Sequence, residues 1–434
     1  MEPNTNIEKP IETKTGRNSL RKYFLSFGPG IVAVLTMIAA GDLVVSAVSG
    51  SNYGYNLMWL LAGAFIIRFV IVNIIARYQL SNKGRLSILA GFAEMGRFIP
   101  WFMGIAAIII GHLGGAIMII GTGEVLAWLF NFGSPFIWSI VVVLSALFVT
   151  GRNMYNTIEK IMKLLLGIMS IAFIGLAIYV LPDVGQIIKG TIGFGIPENT
   201  GSPFGVFLVA SSLIGAVAGS MTNFLYPYFM KEKGWDNPSF IKLARYDLLF
   251  AFFAAAVICL SIWIVGAEIL RPNGIQVNNL SDISQALSIY LGPFGSIVFY
   301  LGAFGILYSS VIGFANGYPR LAVDCFQIIK KERREKYGDK LENDPWFRWI
   351  SLFILVAPIV WTIPGMPGFV VMTIFVNAIQ TLLVPAIAIG LLVLSNKKSH
   401  LGKYTNNWFE NVLLVLTTAL TVWLSVEWIV DLFL

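Results

Sequence analysis

Eleven long apolar runs leave this chain few ways to fold. They cover Phe24–Val48, Leu57–Arg77, Trp101–Phe130, Ser134–Val149, Ile161–Leu181, Phe204–Phe229, Ala244–Leu270, Leu287–Gly317, Phe347–Ile363, Gly368–Leu394 and Val412–Leu434. About 20 apolar residues wound as a helix match the ~30 Å hydrocarbon thickness of a bilayer. Inside lipid no water satisfies the backbone, so such runs must be helices that close their own hydrogen bonds. With 57% hydrophobic and 12% charged residues, the chain falls far from the ~25% charge of an ordinary soluble domain. The expectation is an all-α integral membrane protein with about eleven transmembrane helices.

The net charge of +7 would suggest an acidic partner if it formed a patch. Its placement argues otherwise. With the N-terminus inside and the spans alternating, 27 of the 30 Lys and Arg residues fall in cytoplasmic segments, and Lys189 and Arg271 are the two that fall outside. This is the bias expected of cytoplasmic loops. The chain reads as multi-pass in the cell membrane, N-terminus cytoplasmic and C-terminus outside, with no nucleic-acid partner. Arg68, within the second span, reads with Glu124 and Glu268 as a structural residue nearer the span ends. The basic run Lys330–Lys340 reads as a solvated cytoplasmic segment. Residues 1–23 read as a polar cytoplasmic tail without the apolar stretch of a cleaved signal peptide. Residues 24–394 form the core, in halves 24–181 and 204–394, and residues 395–434 form a loop and an eleventh helix.

The informative residues are those that break the apolar pattern. Asp42 lies some eighteen residues into span one, after Gly41. A carboxylate at mid-membrane costs about 2.5–3.5 kcal/mol on insertion scales and commonly marks a substrate pathway; a residue snorkelling to the interface is the alternative. Span six carries Gly215, Gly219, Ser220, Thr222 and Asn223, followed by Pro227, and a proline cannot donate to the helix ladder. These residues also suit close helix packing and interhelical hydrogen bonds. Interruptions at corresponding positions of two halves point to an inverted-repeat transporter with a midplane site. Gly41 and Gly219 are the expected break points. Asn377 and Gln380 lie on neighbouring positions of span ten. His112 in span three either relays protons, since it titrates near neutrality, or donates one interhelical hydrogen bond. Neither Cys259 nor Cys325 has metal-ligand spacing, and no catalytic constellation or cofactor motif is present, so the chain reads as a transporter and not an enzyme, with no cofactor.

Gly28-Pro29-Gly30, Gly54-Tyr55 and Leu57 with Trp59 resemble the first two helices of the NRAMP family of divalent metal transporters. Glu159, Ile214-Gly215-Ala216, Tyr308-Ser309-Ser310 and Asn316-Gly317 extend the resemblance over nearly the whole chain. It implies a LeuT-like 5+5 inverted repeat, a cation site between spans one and six, and usually proton coupling. The functional positions differ from the family pattern. Ala39-Ala40-Gly41-Asp42 stands where the family has Asp-Pro-Gly-Asn, and Gly219-Ser220-Met221 where it has Met-Pro-His. Asn377 takes the place of a glutamine, and the acidic positions of the proton route fall on Ile105, His112 and Gly115. The expected cargo is a divalent metal cation, held by Asp42 as charged ligand, by Asn223, Asn377 and Ser220 as neutral oxygens, and by backbone carbonyls near Ala39 and Gly219. Proton coupling is expected to be weak or absent, with His112 as the possible relay. The lipid bilayer is the expected environment, and no obligatory protein partner is implied. The alternative is a small organic substrate such as an amino acid, on the same fold.

Overall fold

A computed structural model of the chain describes residues 40–84, 86–149, 155–198 and 204–433, and these are helical, with no strand among them. Nine helices within these residues are long and apolar enough to cross a membrane. Span four, Pro135–Val149, is a shorter apolar helix, and span one is described only from Ala40, as Ala40–Tyr53. The others are span two at Met58–Ser81, span three at Phe98–Phe130 and span five at Tyr155–Tyr179. Span seven is Ile241–Val265 with a π turn at Gly266–Leu270, and span eight is Pro293–Ile329. Span nine is Pro345–Val356 continued as a 3-10 turn over Ala357–Thr362, span ten is Phe369–Thr381 with Val384–Leu394, and span eleven is Trp408–Phe433.

Span six is discontinuous. Its first half, Val206–Val217, stops at Ala218; Ser220 is extended and caps a 3-10 turn, Met221–Leu225, which leads into a second half, Tyr226–Glu232. Pro227 sits within the first turn of that second half, where a missing N–H costs nothing.

Two corrections concern span limits. Span eight, expected at Leu287–Gly317, starts at Pro293 and runs to Ile329, because Gly292 (φ +58°) separates it from an independent helix, Leu280–Leu291. Its late charges do not end it, since each is paired. Arg320 bonds Glu232 at 2.9 Å and Glu342 at 2.8 Å, and Asp324 accepts from Tyr228 at 2.7 Å. Span one runs past Val48 to Tyr53, whose hydroxyl donates to the Phe204 carbonyl. The helix Lys331–Tyr337 is exposed, apart from a partly buried Tyr337 and a partly buried Arg333 that bonds Asp344.

Spans one, two, six and seven pack as one group, and spans three, four, eight and nine as another, with span five against spans seven and eight. Span ten lies between spans six and three, and span eleven covers spans six and ten. Close approach depends on glycine. A Cβ on Gly50 would stand 2.3 Å from the Trp263 carbonyl oxygen, and one on Gly215 would stand 1.7 Å from that of Asn377. With no hydrophobic drive between helices in lipid, such backbone-to-backbone packing is what holds the group together. Gly215 therefore sets the height and distance of span ten beside the break in span six.

Gly215→Ala should lower the melting temperature of the purified protein, by an amount matching an overpacking cost of about 1–3 kcal/mol or more. Gly63→Ala, where the new Cβ meets nothing within 4 Å, should leave it unchanged or slightly higher because alanine is the better helix former.

Candidate functional site

The break in span six is joined through Arg68 to the first turn described in span one, and there the chain has brought its charge inward. Asp42 is 2% exposed and Arg68 1% exposed. Arg68 is the eleventh residue of a 24-residue helix, so it lies in the middle of span two and not near its end. Its Nη1 is 3.9 Å from Asp42 Oδ2. Its Nε donates to Asn223 Oδ1 at 3.2 Å, and its Cζ lies 5.2 Å from the centre of the Phe252 ring on span seven. Spans one, two, six and seven thus meet around a single guanidinium.

Asn223 is locked at both ends of its amide. The oxygen accepts from Arg68, and Nδ2 donates to the Ala218 carbonyl at 2.9 Å. One side chain therefore ties the cation to the interrupted backbone and satisfies a carbonyl at the helix end. Ser220 holds the break from the other side, its Oγ accepting from the Thr222 amide at 3.3 Å and sharing a hydrogen with Thr222 Oγ1 at 2.6 Å.

Span ten completes the surround. Asn377 presses on span one, since a Cβ on Gly41 would stand 2.9 Å from its Nδ2. Its Oδ1 accepts from Gln380 Nε2 at 3.2 Å. Asn377 Nδ2 and Gln380 Oε1, both buried, have no hydrogen-bond partner. Leaving such groups unsatisfied costs about 1–3 kcal/mol each, so the cage carries unused polar capacity next to Asp42.

Of the residues singled out from the sequence, Asp42 and Asn223 meet on Arg68, Asn377 packs against Gly41, and Gly219 and Ser220 form the interruption. Gly41 is helical, in the first described turn of span one; Ala39 lies outside the described residues. His112 sits elsewhere, its Nε2 accepting from Trp361 Nε1 at 3.0 Å and its ring stacked 5.1 Å from Phe353. Its partners come from span nine. Glu124 accepts from the Phe369 amide at 3.1 Å and so caps span ten. The residue that sequence reasoning placed wrongly is Arg68. The available signal was a second mid-span charge, opposite in sign to Asp42, on the adjoining helix.

Among the described residues no group of three or more His, Cys, Asp or Glu is placed to hold a metal ion. The oxygens around Arg68, on Asp42 and Asn223, are hard donors of the kind that suits Mg²⁺, Ca²⁺ or Mn²⁺.

This helical architecture, with a broken span six, defines a membrane protein of LeuT-like fold. It aligns with a crystal structure of a histidine-to-alanine mutant of the Eremococcus coleocola manganese transporter at a TM-score of 0.73 and 16% identity, covering 97% of this chain and 89% of that one. Residues 30–431 match the Nramp family, described as natural resistance-associated macrophage protein-like, and the chain belongs to that family. It is 23% identical to the divalent metal cation transporter MntH of Brucella suis, over 99% of this chain and 93% of that protein. With the metal transporter Nramp6.2 of Populus trichocarpa it shares 24% identity, over 89% of this chain and 70% of that one.

Asn223→Ala strips a buried guanidinium and a buried carbonyl of one partner each. The melting temperature should fall by the equivalent of about 1–3 kcal/mol. An unchanged melting curve would show that Asn223 does not tie the break to span two.

Proposed function

We propose that the protein is a secondary transporter that moves a divalent metal cation of the Mn²⁺, Fe²⁺ or Mg²⁺ class across the membrane by alternating access. The observation that carries this reading is Asp42. It is a buried carboxylate paired with Arg68, which is bonded in turn to Asn223 at the span-six interruption, in a chain of a family whose relatives bear the names of metal transporters. Asp42 is the charged ligand, and Asn223, Asn377 and Ser220 supply neutral oxygens. The carbonyl of Gly219, at the span-six interruption, and that of Ala39 complete the set. The cargo is the only metal invoked, and the protein needs no cofactor, catalytic group or obligatory protein partner. Residues 24–394 act as the transport core with halves 24–181 and 204–394, and residues 395–434 supply a loop and a peripheral helix. The excess of Lys and Arg on one side supports an N-terminus in the cytoplasm and a C-terminus outside, in the cell membrane.

Reconstituted in proteoliposomes with an inside-negative potential, the wild-type protein should accumulate Mn²⁺. Asp42→Asn should reduce the rate at least about tenfold, the effect of losing ~1.4 kcal/mol of binding, while melting as a folded protein. Wild-type uptake in that variant would remove Asp42 from the site and with it this reading.

Proton coupling is weak or absent on the same reading. The membrane potential supplies ~2.3 kcal/mol per charge per 100 mV, hence about twice that for a divalent ion without any proton. His112, held by Trp361 and Phe353, is the residue through which a relay would run. With a pH-sensitive dye inside the vesicles, Mn²⁺ entry should proceed without matching acidification. Acidification that follows Mn²⁺ and vanishes in His112→Ala would establish coupling through that residue.

A further inference from the structure

A site built for a cation already contains one. Arg68 sits 3.9 Å from Asp42 and takes the oxygen of Asn223, two of the donors a metal would use. Within the described residues, the cage offers Asp42 as the carboxylate next to this guanidinium, so the pair is neutral as it stands. Adding a divalent ion to the same oxygens, with Arg68 in place, would set three positive charges against one negative in a medium that screens them poorly. Arg68 and a bound metal therefore exclude one another.

We infer that Arg68 is a tethered resident cation: its guanidinium occupies the metal position of the site, and the metal binds by displacing it from Asp42 and Asn223. This rests on the reading of the site as a metal site. The hold of Arg68 on the carboxylate is the part of the geometry that favours exchange. The Asp42 contact is long for an ion pair, whereas charge-assisted N–H···O bonds run to about 2.7–2.9 Å. The Phe252 face, 5.2 Å from Cζ, stays within reach of a guanidinium that has let go of the carboxylate, and an aromatic face holds such a cation well when it is desolvated. Displacement also releases an oxygen that a metal can use, Asn223 Oδ1. On span ten Gln380 Oε1 is a further buried acceptor without a hydrogen-bond partner.

The device has a consequence for the transport cycle. A carrier that has delivered its cargo must return without it, and a mid-membrane carboxylate is costly without a cation beside it. Arg68 falling back on Asp42 neutralises the empty site from within the protein. No proton or second ion has to ride back. The same exchange lowers metal affinity in the loaded state, because each binding event must first expel the arginine.

The test is equilibrium binding of Mn²⁺ to the purified full chain by isothermal titration, alongside uptake in proteoliposomes. Arg68→Gln should bind Mn²⁺ at least about tenfold more tightly than wild type, and the gain should disappear in the Arg68→Gln, Asp42→Asn double variant. In Arg68→Ala, added ethylguanidinium should weaken Mn²⁺ binding back towards the wild-type value, while leaving wild type unaffected. Should Arg68→Gln fail to fold, Arg68→Lys provides the measurement. An ammonium lacks the planar fork, so it competes less well, and binding should tighten by about threefold. A folded Arg68→Gln, or in its place Arg68→Lys, that binds Mn²⁺ no more tightly than wild type overturns the inference, and so does the absence of any Mn²⁺ binding to either protein. Tight binding by Arg68→Gln, in a protein whose wild type shows no Mn²⁺ uptake, would sustain the resident cation and instead refute the transport reading.

Discussion

A charge buried in the middle of a membrane has to be answered by another charge, and the Asp42–Arg68 pair is where this protein meets that demand. The two side chains come from neighbouring helices, and both are shielded from solvent. Their pairing links span one to span two at that depth. Asn223 adds span six to the same point, and Phe252 adds span seven. Four helices thus touch one guanidinium, in surroundings where apolar side chains of lipid-facing helices offer little preference for one register over another.

The glycines do the complementary work. Gly215 lets span ten approach until its backbone touches span six, and Gly41 lets the Asn377 amide close on span one. Polar groups that would be harmless on the surface become consequential there, because they have no water and few partners. A second buried pair, Arg77 with Glu410 at 2.6 Å, fastens span eleven to span two. It uses the same chemistry with closer geometry. Arg77 donates through two nitrogens to Glu410, whereas Arg68 reaches Asp42 at 3.9 Å. The contrast separates a structural clamp from a pair able to open.

Much of this is legible in the sequence. Apolar run length located the spans, and the cluster Gly219-Ser220-Met221-Thr222-Asn223 marked the discontinuity in span six, because glycine, hydroxyls and a following proline do not continue a helix. Asp42 stood out as an isolated carboxylate. Arg68 did not, because along the chain a positive residue reads first as a topology marker, and nothing local to span two says which neighbouring helix it faces. The contact of Asn377 with Gly41 was equally hidden, since it depends on the register between spans one and ten. Span eight outran its expected end for a related reason: Arg320 and Asp324 look like loop residues until their partners Glu232 and Tyr228, on another span, are seen.

The account turns on whether metal and guanidinium take turns at Asp42. The most direct measurement is a structure of the wild-type protein grown or frozen with Mn²⁺, with the metal located by its anomalous signal. The account predicts Mn²⁺ at bonding distance, about 2–2.5 Å, from Asp42 and the released Asn223 oxygen, with Arg68 withdrawn towards Phe252. Mn²⁺ bound at Asp42 with Arg68 still on Asn223, or Mn²⁺ bound at a place that does not include Asp42, would contradict it.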